Sequence, residues 1–73
     1  MATIGERIKF LRLHIGMTQK QMSKQFNITE RAYQRYEANQ STPNYAVLLA
    51  LADYFDVSLD YLCGRSDNPE VNK

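Results

Sequence analysis

The sequence predicts an all-α fold of five helices. Three observations lead there. Thr, Asn or Ser stands ahead of each run of apolar residues spaced three and four apart, as helix caps do. Gly or Asn closes four of the five runs, and these residues enter the left-handed backbone region that ends helices. No segment alternates apolar and polar residues over the length of a strand.

The first helix opens at Thr3, which with Glu6 has the spacing of a capping box. Ile4, Ile8, Leu11 and Ile15 then form its apolar stripe, and Gly16 stops it. Thr18 and Gln21 make a second capping box, opening a helix that ends near Phe26, with Asn27 as a left-handed stop. Thr29 caps a third helix reaching about Ala38, and Asn39 closes it. The segment QSTPN, 40–44, is a loop, and Asn44 caps a fourth helix over Tyr45–Phe55. Val47, Leu48, Leu51, Ala52 and Phe55 lie on one face of it. Ser58 caps a short fifth helix to Cys63, with Gly64 as stop. The tail RSDNPEVNK, 65–73, is polar, contains Pro69 and has no periodicity, so it is expected to be flexible and to leave residues 1–64 as the single domain.

Composition bounds the function. Seventy-three residues make one small domain with a modest core. No apolar run approaches the roughly 20 residues of a membrane span, and MATIGERIKF has no signal-peptide pattern. The one cysteine, Cys63, cannot cross-link a single chain and reads as a small apolar filler, which fits a reducing, cytoplasmic setting. His14 has no second histidine, so no metal or other cofactor is expected, and no small-molecule site is evident. Asp53, Asp56 and Asp60 read as a solvated acidic edge. There is no Gly-rich phosphate loop, and an enzyme is not expected.

Net charge is only +1, but it is polarised. Residues 1–40 carry seven Lys/Arg against three acids, and residues 41–73 carry two against five. A polyanion partner, if there is one, faces the N-terminal half, although a solvated surface polarised by chance gives the same totals.

The third helix sharpens these two readings. At about 100° per residue from Glu30, Gln34 falls near 40°, Arg31 near 100° and Arg35 near 140°. Ala32, Tyr33 and Tyr36 fall on the other side, between about 200° and 300°. One side can pack. The other aligns two guanidinium groups, an amide and a carboxylate, which is either a plain solvated face or a reading surface. These groups suit base edges: Arg bonds guanine twice, Gln does so with adenine, and Glu accepts from cytosine. Helix N-termini attract phosphate, which makes Thr18 and Thr29 candidate backbone contacts. Gln19, directly after its cap, can bond a phosphate or brace the next helix. Ser23 is small enough for close helix approach, and the link Asn27–Ile28 is tight, as in a helix–turn–helix whose second helix enters the major groove.

Three stretches, IGERIKFLRLHIGMTQKQMSKQF, ITERAYQRYE and NYAVLLALADYFDVSLDYLCGRSD, carry a resemblance over about residues 3–67. Together they resemble the Cro/repressor-type helix–turn–helix regulators of phages and bacteria, the Xre family. The resemblance implies a five-helix lambda-repressor-like domain that binds double-stranded operator DNA as a homodimer. It implies that Glu30, Arg31 and Arg35, with Gln34 beside them, read bases, and that Gln19 bonds the DNA backbone. It also implies a partly buried ion pair between Arg12 and Glu37. Some positions depart from the family pattern. Ser23 stands for Ala, harmless if its hydroxyl bonds back to the helix. Asn27 stands for Gly. Tyr33 stands for Ile or Val, so either the core is reshaped or the hydroxyl reaches an edge. The loop after the third helix lacks Lys and Arg, leaving phosphate contact to Asn39, Gln40, Ser41, Thr42 and Asn44.

Tyr45, Tyr54 and Tyr61 are either edge-of-core residues or part of a dimer surface, for which the candidates are Tyr54, Val57, Leu59 and Tyr61. An alternative function is a protein-interaction module, such as an antitoxin or adaptor, working through those tyrosines and the acidic C-terminal half.

Overall fold

The computed structural model describes residues 3–70. Five helices follow in order: α1 Ile4–His14, α2 Gln19–Gln25, α3 Glu30–Glu37, α4 Tyr45–Phe55 and α5 Leu59–Leu62. There is no strand among the described residues.

Each helix begins on its expected cap. Thr3, Thr18, Thr29, Asn44 and Ser58 each accept the backbone N–H three residues on, at 2.9–3.1 Å. The boxes at Thr3–Glu6 and Thr18–Gln21 are reciprocal. Each helix also ends the same way. The left-handed residue after it is Gly16, Asn27, Asn39, Asp56 or Gly64. In all five cases the next N–H reaches back to a carbonyl in the last turn, for example Gln40 to Arg35 at 2.9 Å and Val57 to Ala52 at 3.0 Å. Asp56 takes this role without a Gly or Asn signal; a short polar side chain tolerates the left-handed region better than most.

The core gathers one face of every helix: Ile8, Met22, Tyr33, Leu51, Ala52, Val57, Tyr61 and Leu62. Burying side chains such as Ile8, Met22, Leu51 and Leu62 stabilises the fold by about 1.5–3 kcal/mol each. Ser23 is buried and its hydroxyl donates to the Lys20 carbonyl at 2.7 Å, so the hydroxyl is satisfied within its own helix. Ile15 departs from its expected stripe: it is the C-cap of α1 and stands 46% exposed, because the chain turns away before its side chain reaches the core.

Residues 65–70 do not trail off as the polar composition led us to expect. Pro69 accepts the Ser58 N–H at 2.9 Å, and Asp67 pairs with Arg7 at 2.7 Å. Arg7 also lies over the Tyr61 ring, 4.0 Å from its centre. This end of the chain therefore returns to the base of α5 and to α1; residues 71–73 of the same tail lie outside the described residues.

Candidate nucleic-acid interface

Helix α3 has two unlike sides. Glu30, Arg31, Gln34 and Arg35 are all exposed. The Gln34 amide donates to the Glu30 carboxylate at 3.3 Å. Neither Arg31 nor Arg35 is engaged in an ion pair among the described residues. Four long side chains thus project from less than two turns of helix with their polar ends in solvent.

The C-terminal end of α3 is held firmly. Glu37 is buried, and Arg12 of α1 grips it through two bonds: Nε to Oε2 at 2.6 Å and Nη2 to Oε1 at 3.1 Å. Arg12 also donates to the Met17 carbonyl at 2.9 Å. Gln19 of α2 donates to Glu37 Oε1 at 3.1 Å. One carboxylate therefore joins three helices. Burial pushes the Glu37 carboxyl up, but the bonds from Arg12 and Gln19 and the Arg12 charge outweigh burial and hold it below the ordinary carboxylate range. The same bond to Glu37 raises Arg12 against its own desolvation.

Tyr33 sits beside this pair, 1% exposed. Its hydroxyl is buried without a partner in bonding geometry. Burial raises its pKa first, and the adjoining Glu37 charge raises it further. Of the two outcomes open at Tyr33, the core is reshaped around the ring; the hydroxyl does not reach an edge.

The expected phosphate contacts, Thr18, Gln19, Thr29, Asn39, Gln40, Ser41 and Asn44, lie at the N-termini of α2 and α3 and in the loop before α4. All are exposed except Gln19, which is half-buried. Thr18, Thr29 and Asn44 commit a side-chain oxygen to their own caps. Asn39 commits Oδ1 to the Gly5 N–H at 3.1 Å. What these groups retain are donors, the hydroxyl hydrogens and amide N–H bonds, and a phosphate oxygen requires donors. Pro43 is buried and pins the loop between them.

The dimer candidates need correction. Val57 is 7% exposed and Tyr61 9%, both inside the chain's own core, so they offer little surface to another molecule. Val57 is drawn in by the reversal at Asp56, and Tyr61 lies beneath Arg7. Leu59 is half-buried. Tyr54 is 39% exposed, with its hydroxyl 3.0 Å from the Met17 sulfur and its ring edge-on to Phe26 and Phe55. Sequence reading missed the Gly5–Asn39 and Arg7–Asp67 contacts, which join residues 34 and 60 apart and leave no periodic signal.

Residues 8–62 match the sequence profile of the family described as Helix-turn-helix. The chain belongs to the Cro/repressor-type helix-turn-helix family. Within this helix-turn-helix family it is 37% identical, over 62 residues, to the cryptic phage CTXphi transcriptional repressor RstR of Vibrio cholerae serotype O1, covering 85% of this chain and 55% of that protein. It is 32% identical over 71 residues to the HTH-type transcriptional regulator ImmR of Bacillus subtilis, covering 97% of this chain and 56% of that one. Its fold is similar to that of the P22 c2 repressor protein in complex with synthetic operator 9T, with a TM-score of 0.82 and 29% identity over 90% of this chain and 100% of that one. The chain spans little more than half the length of these curated relatives.

Proposed function

We propose that this chain is a sequence-specific, double-stranded-DNA-binding regulator of transcription, of phage or bacterial origin and cytoplasmic. On this reading it represses by occupying an operator and blocking polymerase. The observation that carries the reading is the exposure of Arg31 and Arg35 on a helix whose C-terminal end is locked by Glu37. Helix α3 lies in the major groove, where Arg31 and Arg35 donate to guanine and Glu30 with Gln34 meets the adjoining bases. Gln19, Thr18, Thr29 and the 40–44 loop hold phosphates on either side. Relatives named as a transcriptional repressor and a transcriptional regulator, and a solved neighbour bound to an operator, support the assignment.

One short reading helix spans only a few base pairs and discriminates poorly. The chain therefore acts as a homodimer with half-sites about 34 Å apart, assembled at least on DNA. With Val57 and Tyr61 buried, Tyr54 and Leu59 are the surviving candidates for the contact.

The test has two steps. Duplexes are selected from a random pool with the full chain, and binding of the selected and of mixed duplexes is titrated at two salt concentrations. A recurring two-fold-symmetric site, and an affinity that falls with salt, is expected. The salt slope should be shallow, because the loop supplies no cation. Absence of any salt-dependent binding would overturn the reading in favour of a protein-interaction module.

A further inference from the structure

We propose that Asn39 is a positioning residue for the reading helix, clamping the C-terminal end of α3 onto the N-terminal end of α1 through Gly5. The proposal rests on the DNA-binding function above and gives Asn39, expected from the sequence to touch phosphate, the role of aiming α3 instead.

Three features of one contact carry it. Asn39 stands immediately after the α3 cap with φ 59°, in the left-handed region. That turn sends its side chain back to α1, where Oδ1 accepts the Gly5 N–H at 3.1 Å. The Gly5 N–H is one of the donors that a helix start leaves unsatisfied, so the bond closes a gap in α1 while joining it to α3. Finally, the two backbones approach so closely that only Gly fits at position 5. A methyl group there would lie 2.6 Å from the Glu37 carbonyl oxygen, and 2.7 Å from both the Tyr36 carbonyl oxygen and Asn39 Oδ1. The N-terminal end of α1 therefore abuts the C-terminal carbonyls of α3, positive end to negative end.

The consequence is rotational. Glu37 anchors α3 by its side chain to Arg12 and Gln19. The Gly5–Asn39 contact anchors the same end through the Asn39 side chain and the close approach of the two backbones. Two anchors of different direction fix both the axis of α3 and its rotation about that axis. Rotation decides which base edges Arg31 and Arg35 reach, whereas phosphate contacts tolerate small changes in it. Loss of the clamp should thus lower discrimination between sequences before it lowers attraction to DNA in general.

The experiment compares Asn39→Gly, Asn39→Asp and Gly5→Ala with the unmodified chain. Each is titrated with a duplex selected by the unmodified chain and with a mixed-sequence duplex, well below its melting temperature. Asn39→Gly keeps the left-handed turn without steric cost and removes the whole carboxamide, the acceptor for Gly5 included. It is expected to weaken the selected duplex three- to tenfold and to leave the mixed duplex within twofold. Asn39→Asp keeps an acceptor for Gly5 and should retain the ratio of the two affinities, even where its charge lowers both. Gly5→Ala should reduce the ratio further; if it does not fold, Asn39→Gly still decides. Equal weakening of both duplexes by Asn39→Gly would overturn the proposal and restore Asn39 as a phosphate contact. No change on either duplex would overturn it as well. If the unmodified chain binds neither duplex, the DNA-binding reading itself has failed, and the clamp with it.

Discussion

The two sides of α3 answer opposite demands within one eight-residue helix. Toward the protein, Tyr33 and Glu37 are buried and the carboxylate is bonded from two other helices. Toward solvent, Glu30, Arg31, Gln34 and Arg35 are exposed, and the one bond among them is a long amide–carboxylate contact of 3.3 Å. A short helix has little stability of its own and takes its position from what it packs against. The buried groups therefore set where the free ones point: Tyr33 lies across the helix from Arg31 and Arg35, whereas Glu37, about 20° from Glu30 around the axis, is buried because it sits at the end of α3 that packs on α1 and α2. Substitutions on one side should change folding with binding as a secondary result; those on the other should change binding alone.

The strongest case is Glu37→Ala, which leaves Arg12 buried and unpaired. A loss of about 3–5 kcal/mol is expected, against a total of about 4–11 kcal/mol for a chain of this size. Urea unfolding measures it. Replacing Arg12 and Glu37 together by Met should cost less than removing Glu37 alone, because no orphaned charge remains. Acid probes the same pair. The folded Glu37 carboxyl lies below its ordinary value of 4.5, so its contribution is fully present above that value and is lost as pH falls through the lower folded one. Glu37→Gln should flatten this part of the stability–pH curve; an unchanged curve would show that other carboxyls carry the acid response.

On the free side, Arg35→Ala should cost about 1–3 kcal/mol of binding and relax preference at one base position. Its effect on urea unfolding should stay within about 0.5 kcal/mol. A larger folding effect would contradict the separation of the two sides, and equal loss on every duplex would mean that Arg35 touches only phosphate.

The smallest effect is expected at Tyr33→Phe. This removes a buried hydroxyl that has no partner and keeps the ring. Stability should hold or rise by up to about 1 kcal/mol, since an unsatisfied buried donor is relieved. A fall in the unfolding midpoint would show that the hydroxyl bonds Glu37 in solution.

The helix starts, and every left-handed stop but Asp56, were legible without coordinates because capping is local. Thr18 reaches the Gln21 N–H three residues away, and a left-handed Asn39 is adjacent to the helix it ends. The two sides of α3 were legible for the same reason, since a helical repeat places residues by counting alone. The Arg12–Glu37 pair came from family likeness, and its two buried hydrogen bonds, with the added bond from the Gln19 amide, emerged only when α1, α2 and α3 were packed. Val57 and Tyr61 defeated a surface reading because burial depends on how α5 and the returning tail lie against α1, and periodicity carries no such angle. Gly5 looked like an ordinary helical residue; its need to be Gly comes from carbonyls more than thirty residues away. Bonds within a turn are set by the chain's own geometry, whereas contacts between helices depend on the fit of every side chain at once.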